Sequence, residues 1–370
     1  MTKLQLTPRR GQGGTGQPPA AGDPVTIAID VARTKWVYVC RWHGAEQRRL
    51  STPGELRHVQ ALVQEYVARG CSVCVVYEAC GFGYEIAWWV EAQPGARVLV
   101  VAPSTVEKAP GAGVKTDGLD AGGLAWKAER DLLKGIAVPS RALHQQRQLS
   151  RTYEQVLRNR RREQARVRLL LQAHGYTDAP ARVAGWPALA AWVEQQQAPW
   201  PAPLQQCVAE LLSQRAAAEA SAARLKRALT QLGRSPAYAP LVAALAAQPG
   251  VGRFTAIRLV LELGDMPRFA TAGALVNYLG LTPREYSSGA VVRRGHVRKC
   301  GPGQVRAWVL QCAWAAVRSG GDAPLSEAFT RLAPRVGRKR AIVAVARRLA
   351  LRLRARWLAH AAALATAAVA

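Results

Sequence analysis

Between residues 25 and 102 the apolar positions fall into short runs and alternations that read as strands, with helical stretches between them. Val25-Thr26-Ile27-Ala28-Ile29 is an apolar run ending in Asp30. After a turn at Arg33-Thr34, the residues Trp36, Tyr38, Cys40 and Trp42 alternate on one face, which predicts a hairpin. Leu50-Ser51-Thr52-Pro53 reads as a helix N-cap with a first-turn proline, and Leu56, Val59, Leu62, Val63 and Val67 follow at helical spacing. Cys71 to Tyr77 is a buried strand that again ends in an acid, Glu78, before a helix near 83–92 and a strand near 97–102. Strand, strand, helix, strand, helix, strand describes a mixed α/β sheet with helices on its faces. A further helical pattern opens at Lys115-Thr116-Asp117-Gly118-Leu119-Asp120-Ala121, and Leu124, Ala128 and Leu132 continue its stripe. That spacing predicts Asp117 and Asp120 on the core-facing side.

Beyond residue 139 the periodicity is helical almost throughout. A basic helix is predicted from Arg141 to about His174, with Arg158, Arg160, Arg161 and Arg162 at its middle. Residues 175–203, with several prolines and three tryptophans, read as a loop-rich connection. Leu204, Val208, Leu211, Arg215, Ala218, Ala222, Leu225, Leu229 and Leu232 then follow a four-three spacing, a heptad seam for an antiparallel coiled coil or for a subunit interface. Pro249-Gly250-Val251-Gly252, between two apolar helical runs, has the look of a helix-hairpin-helix turn, whose amides at Gly250 and Gly252 would face a phosphate. The segment Gly280-Leu281-Thr282-Pro283 leads to Ser287, Ser288 and Gly289, then to a basic cluster of Arg293, Arg294, Arg298, Lys299 and Arg306. The tail from Val336 to Ala370 reads as a basic amphipathic helix burying Ile342, Val343, Val345, Leu349 and Leu353.

Charge changes this picture more than composition does. The chain of 370 residues is 49% hydrophobic, enough for real cores, yet its net charge is +27. Such an excess fits a long polyanion bound by phosphate contacts, and a membrane surface fits less well. No apolar run reaches the roughly 18 residues that a spanning helix needs, and the N-terminus lacks the apolar core of an export signal. Residues 1–23, rich in Gly, Pro, Gln and Thr, read as a disordered basic arm. Seven cysteines without regular spacing predict reduced thiols and a cytoplasmic protein. Cys71 and Cys74 form a C-x-x-C that reads as buried strand sooner than as a zinc or redox site, and six scattered histidines offer no metal motif.

The acids carry the candidate chemistry. Asp117 and Asp120 can be read as N-cap and third-position partner of a helix, and Asp30 or Glu78 as a loop cap. The sharper reading is convergence: two strand-terminal acids and two on a following helix, meeting at one sheet edge around a hard cation such as Mg²⁺. Carboxylates stay ionised together in a partly buried site when a metal offsets their repulsion, and a two-metal site then serves phosphodiester chemistry. Lys115 stands ready for a phosphate beside them. The serines are uninformative as a bare motif, but a hydroxyl among arginines is what covalent phosphoryl transfer needs.

This order of features looks like the ribonuclease-H-like fold in its Holliday-junction-resolvase branch, and the whole chain resembles the IS110 (insertion sequence one-ten) family of transposases, kin to the Piv DNA invertases. The resemblance rests on Ile29-Asp30, Tyr77-Glu78-Ala79, Lys115-Thr116-Asp117 with Asp120-Ala121, and Gly280-Leu281-Thr282-Pro283 leading to Ser288-Gly289 and Arg298-Lys299-x-Gly301. It covers about 25–134 and 242–320, with Cys300 and the Gly301-Pro302-Gly303 run departing from the usual pattern. It implies a resolvase-like DEDD domain at 24–138, a helical coiled-coil region at 139–240, a mainly α serine-bearing transposase domain at 241–335 and a C-terminal basic helix at 336–370. It further implies a metal-binding tetrad of Asp30, Glu78, Asp117 and Asp120, using Mg²⁺ with Mn²⁺ able to substitute. Ser288 would be the nucleophile, with Ser287 the fallback. The implied partners are element and target DNA, a structured non-coding bridge RNA that guides the choice of sites, and further copies of the chain in a dimer or tetramer. The implied setting is the bacterial nucleoid.

Two rivals follow from the same residues. A structure-selective endonuclease would use the tetrad to direct water and leave the serines as phosphate contacts. A nucleic-acid-binding protein with a relic site would bind without regard to Mg²⁺.

Overall fold

The computed structural model describes residues 17–103, 117–195, 200–285, 294–297 and 300–369. It divides into two compact units, Met1–Arg141 and Ala142–Ala370.

The first unit is a five-stranded sheet built from β1 (Pro24–Val31), β2 (Lys35–Trp42), β3 (Ala45–Pro53), β4 (Ser72–Glu78) and β5 (Ala96–Val101). Its order is β3-β2-β1-β4-β5. The first three strands form an antiparallel meander, and β1, β4 and β5 run parallel. α1 (Leu56–Ala68) connects β3 to β4, α2 (Glu85–Glu91) connects β4 to β5, and α3 (Asp117–Glu129) follows β5. Strand alternation sorts the sheet into two faces. Ile27, Ile29, Tyr38, Val75 and Tyr77 pack with Val59, Leu62 and Tyr66 of α1 and Ile86 and Val90 of α2. Ala28, Val39, Val76 and Val101 pack on the other face against Ala121, Leu124, Ala125 and Ala128 of α3.

Two expectations are corrected here. Leu50-Ser51-Thr52-Pro53 does not open a helix: it ends β3, and α1 starts after Glu55. The segment lacks an apolar strand pattern because it is an edge strand that carries the charged residues Glu46, Arg48 and Arg49, as edge strands tend to do. The stripe of α3 is also shifted. Ala121, Leu124, Ala125 and Ala128 are buried, whereas Asp120 is exposed beside them and Leu132, beyond the helix end, is 61% exposed.

The second unit is almost wholly helical. α4 (Arg141–Ala173, entering from the boundary) is followed by a short 3-10 turn (Arg182–Ala184), α5 (Gly185–Gln195) and α6 (Ala202–Leu232). The predicted heptad seam of α6 holds: none of its nine positions is exposed, and the residues between them mostly are. Arg215 fits that seam because it lies over the Trp186 ring at 4.2 Å and pairs with Glu219. The expected loop at 175–203 contains α5, whose Leu189 and Val193 close a separate small core with Val167, Leu171, Leu204 and Val208. Next come α7 (Ala239–Ala246), α8 (Arg253–Leu263), α9 (Ala272–Tyr278), the strand pair β6 (Pro283–Glu285) and β7 (Arg294–Val297), α10 (Gly303–Ser319), α11 (Ala323–Val336) and α12 (Arg338–Val369).

One large core joins Leu229 of α6 to α7 through α12, with Leu143, Leu149 and Tyr153 of α4 packed against it. Charge runs through this core. Arg258 of α8 is 6% exposed, pairs with Glu154 of α4, donates to Ser150 and lies 3.8 Å from the Trp308 ring centre. Glu262, also buried, accepts two 3.0 Å bonds from Arg151. Asp322 caps α11 through the Leu325 amide and holds Gln248 and Arg352. Among the described residues no helix is long and apolar enough to cross a membrane.

Candidate active site

β1 and β4 bring two of the expected acids together. Their register pairs Ile29 with Tyr77, so the next residues, Asp30 and Glu78, stand level at the ends of adjacent parallel strands. Alternation places both on the face of Ala28 and Val76, the one that α3 covers. The direction of α3 follows from its far end. Glu129, its last residue, accepts a 2.8 Å bond from Arg41, which is paired with Thr26 near the start of β1. The first turn of the helix, with Asp117 and Asp120, therefore lies toward the Asp30–Glu78 edge. Asp30 is half-buried, and Glu78 and Asp120 are exposed. Asp117 is the first residue of α3, and its side chain falls outside the described residues.

The donor set is all carboxylate, which suits a hard divalent cation. Among the described residues no group of three or more His, Cys, Asp and Glu is close enough to hold a metal ion. Asp30, Glu78 and Asp120 thus share an edge without closing a cage. The edge strand adds a pair that periodicity did not reveal. Arg49 and Glu46 of β3 are joined by two 2.8 Å bonds, and a Cβ on Gly122 would stand 3.6 Å from the Arg49 guanidinium. A cavity of about 650 Å³ opens at the opposite end of the sheet, between Thr26, Cys74, Arg97 and Asp131, away from the acids.

Comparison with known proteins bears on both units. Residues 27–175 match a DEDD transposase family of IS110 elements, and residues 242–330 match the transposase family IS116/IS110/IS902. Together the two matches span more than half of the chain. The chain belongs to the IS110 family of transposases. It is 26% identical over 301 residues to the transposase y4qE of Sinorhizobium fredii, covering 78% of this chain and 70% of the relative. A family 20 transposase of Pseudomonas aeruginosa is 28% identical over 296 residues, 79% of this chain and 84% of its own. A 43.6 kDa protein of insertion element IS110 from Streptomyces coelicolor is 35% identical over 80 residues, 22% and 20% of the two chains.

The transposase is thus an enzyme that breaks and rejoins DNA, and its DEDD domain implies dependence on a divalent metal. Ser287 and Ser288 fall between β6 and β7, outside the described residues, as do Lys115, Arg293, Arg298 and Lys299. Arg294 opens β7 opposite Glu285.

Several residues expected to touch nucleic acid are engaged within the transposase itself. Arg306 donates 3.0 Å bonds to the carbonyls of Leu279 and Cys300, so it ties down the loop before α10. That loop needs Gly301: its φ is +70°, and a Cβ there would lie 1.7 Å from the Tyr278 carbonyl oxygen. Gly250 likewise serves packing, because a Cβ at φ +86° would meet the Cys312 carbonyl of α10 at 2.4 Å. Gly252, by contrast, is exposed at the N-cap of α8 with open space around it. Arg160 binds Glu219 across the helical hairpin, Arg158 binds Gln155, Arg162 lies 3.5 Å from Glu163, and Arg161 faces solvent.

Proposed function

We propose that the transposase excises and integrates its own element through a covalent phosphoserine intermediate, with Asp30, Glu78, Asp117 and Asp120 as a ribonuclease-H-like metal-binding tetrad. The observation that supports the tetrad is the level placement of Asp30 and Glu78 on the sheet face under α3, whose first turn carries the other two acids. Mg²⁺ held there, or Mn²⁺ in its place, would supply charge stabilisation at a phosphate. The Ser288 oxygen replaces a deoxyribose oxygen on phosphorus, the serine proton passes to solvent or a neighbouring base, and the departing oxygen takes up a proton. Attack by a new DNA hydroxyl reverses the step and rejoins the strand, conserving the phosphodiester energy. Ser287 is the alternative nucleophile.

Element and target sites are chosen, in this reading, by pairing with a structured bridge RNA, and copies of the chain assemble as a dimer or tetramer in which one subunit's acids meet another's serine. The net charge of +27 suits two nucleic-acid partners. Arg161, Gly252 and the cluster of Lys115, Arg293, Arg294, Arg298 and Lys299 supply phosphate contacts.

A denaturing gel of protein, labelled element-junction DNA, the flanking element RNA and Mg²⁺ tests the reading. A protein-linked DNA band lost in Ser288→Ala and kept in Ser287→Ala is the expected result. Cleaved ends without any adduct would instead establish an endonuclease that uses water.

A further inference from the structure

A second cavity, of about 180 Å³, lies beside the acids on the other face of the sheet, and Val31, Trp36, Leu56, Tyr77, Phe82 and Ile86 line it. It is several times the roughly 30 Å³ of a water molecule and well below the roughly 300–1,000 Å³ of sites for larger ligands. One planar ring system fits that size. Tyr77, 1% exposed, closes one end of the cavity. The other end is aromatic and open. Phe82 is 46% exposed and meets Trp36 edge-on at 6.4 Å.

The position of the cavity identifies the ring. Val31 directly follows Asp30, and Tyr77 directly precedes Glu78, so alternation places the cavity and the carboxylates on opposite faces of one sheet edge. The exposed Arg33 and Lys35 of the β1–β2 turn stand at the same edge. Glu85, also on the cavity wall, is paired with Arg141 at 2.7 Å, which lessens its repulsion of phosphate. A nucleic-acid strand crossing this edge brings its backbone to the cations and can turn a base down onto Phe82.

We propose that this cavity receives one unstacked nucleobase of the nucleic acid bound at the acidic edge, with Phe82 as the stacking platform. The proposal rests on the reading of Asp30 and Glu78 as the edge where the strand is cut. Both DNA and RNA carry bases of this kind, and the test distinguishes them.

The test measures binding of the full chain in EDTA to strands built of abasic nucleotides, with and without a single thymine, on a deoxyribose backbone, and to the matching uracil strands on ribose. Base–aromatic stacking predicts that the single base tightens binding about tenfold. Phe82→Ala should abolish that advantage, while keeping the wild-type melting curve and the affinity for the all-abasic strand. The backbone on which the advantage appears tells whether the base comes from DNA or RNA. No advantage on either backbone, or an advantage untouched by Phe82→Ala, overturns the proposal. Asp120→Asn separates the two readings. It should keep the base advantage, and if it also keeps full recombination, the metal reading fails while the base cavity stands.

Discussion

The two units handle charge in opposite ways. Among the described residues of the sheet unit, the buried polar side chains are Thr26, Thr52 and His58, and no Asp, Glu, Lys or Arg is buried. The helical unit buries Glu154, Glu163, Arg258, Glu262 and Asp322. The backbone explains the difference. Strand register is fixed by ladder hydrogen bonds, so the sheet needs no charges in its core and can hold its carboxylates at an edge. Helices packed through apolar ridges can slide past one another, and an ion pair such as Arg258–Glu154 fixes how far α4 and α8 travel. Charge stays at the rim of one unit and aligns helices in the other.

Five experiments would break or sharpen that contrast. Asp120→Asn, at the sheet edge, should lower DNA strand cleavage at least about a hundredfold in a gel assay and leave the melting curve unchanged; loss of fold would make the acid structural. Arg258→Met, in the helical core, should do the reverse. It strands a buried carboxylate and should cost about 3–5 kcal/mol of stability in urea unfolding, and adding Glu154→Leu should recover much of it. Gly250→Ala should cost about 1–3 kcal/mol in the same measurement, because a side chain there is strained and meets α10.

The fourth experiment uses pH. Burial alone would raise the Asp322 carboxyl, but hydrogen bonds from Arg352, Gln248 and the Leu325 amide outweigh it and hold it below the ordinary 3.8. Its stabilisation is therefore complete above 3.8 and is lost as pH falls through the lower value of the folded state. The melting temperature should fall over that acidic range, and Asp322→Asn should flatten the fall. The smallest effect belongs to Arg161→Ala, which should leave stability alone and reduce the salt slope of nucleic-acid binding by about one; an unchanged slope would remove Arg161 from the contact surface.

Legibility in the sequence divides along the same line. The acids Asp30 and Glu78 near their strand ends and the start of α3 at Asp117 were readable because strand and helix periods are local. β3 was not, since a charged edge strand ending in Ser-Thr-Pro imitates a helix start. The heptad seam of α6 was readable to the residue, yet α5 was hidden among tryptophans and prolines. The pairing of Arg258 with Glu154 joins residues 104 apart, and no local pattern marks it. The same holds for Arg306 and Gly250: a basic residue or a glycine in a basic region looks like a phosphate contact until the carbonyl it serves is seen.

The placement of Asp30 and Glu78 on parallel neighbours has a consequence for how the enzyme comes into being. Parallel strands cannot be joined by a tight turn, and here the β2–β3 hairpin and α1 lie between the two acids. Contacts of such high sequence separation form late. The hairpin can fold as it leaves the ribosome, but the acidic edge assembles after β4 docks and is complete when α3 has been synthesised and laid across the sheet. The chain up to α3 holds 13 Lys and Arg against 9 Asp and Glu, so most of the positive charge that finds DNA is made after the edge proposed to cut it. For an enzyme that breaks DNA, chain order thus sets the blade before the grip.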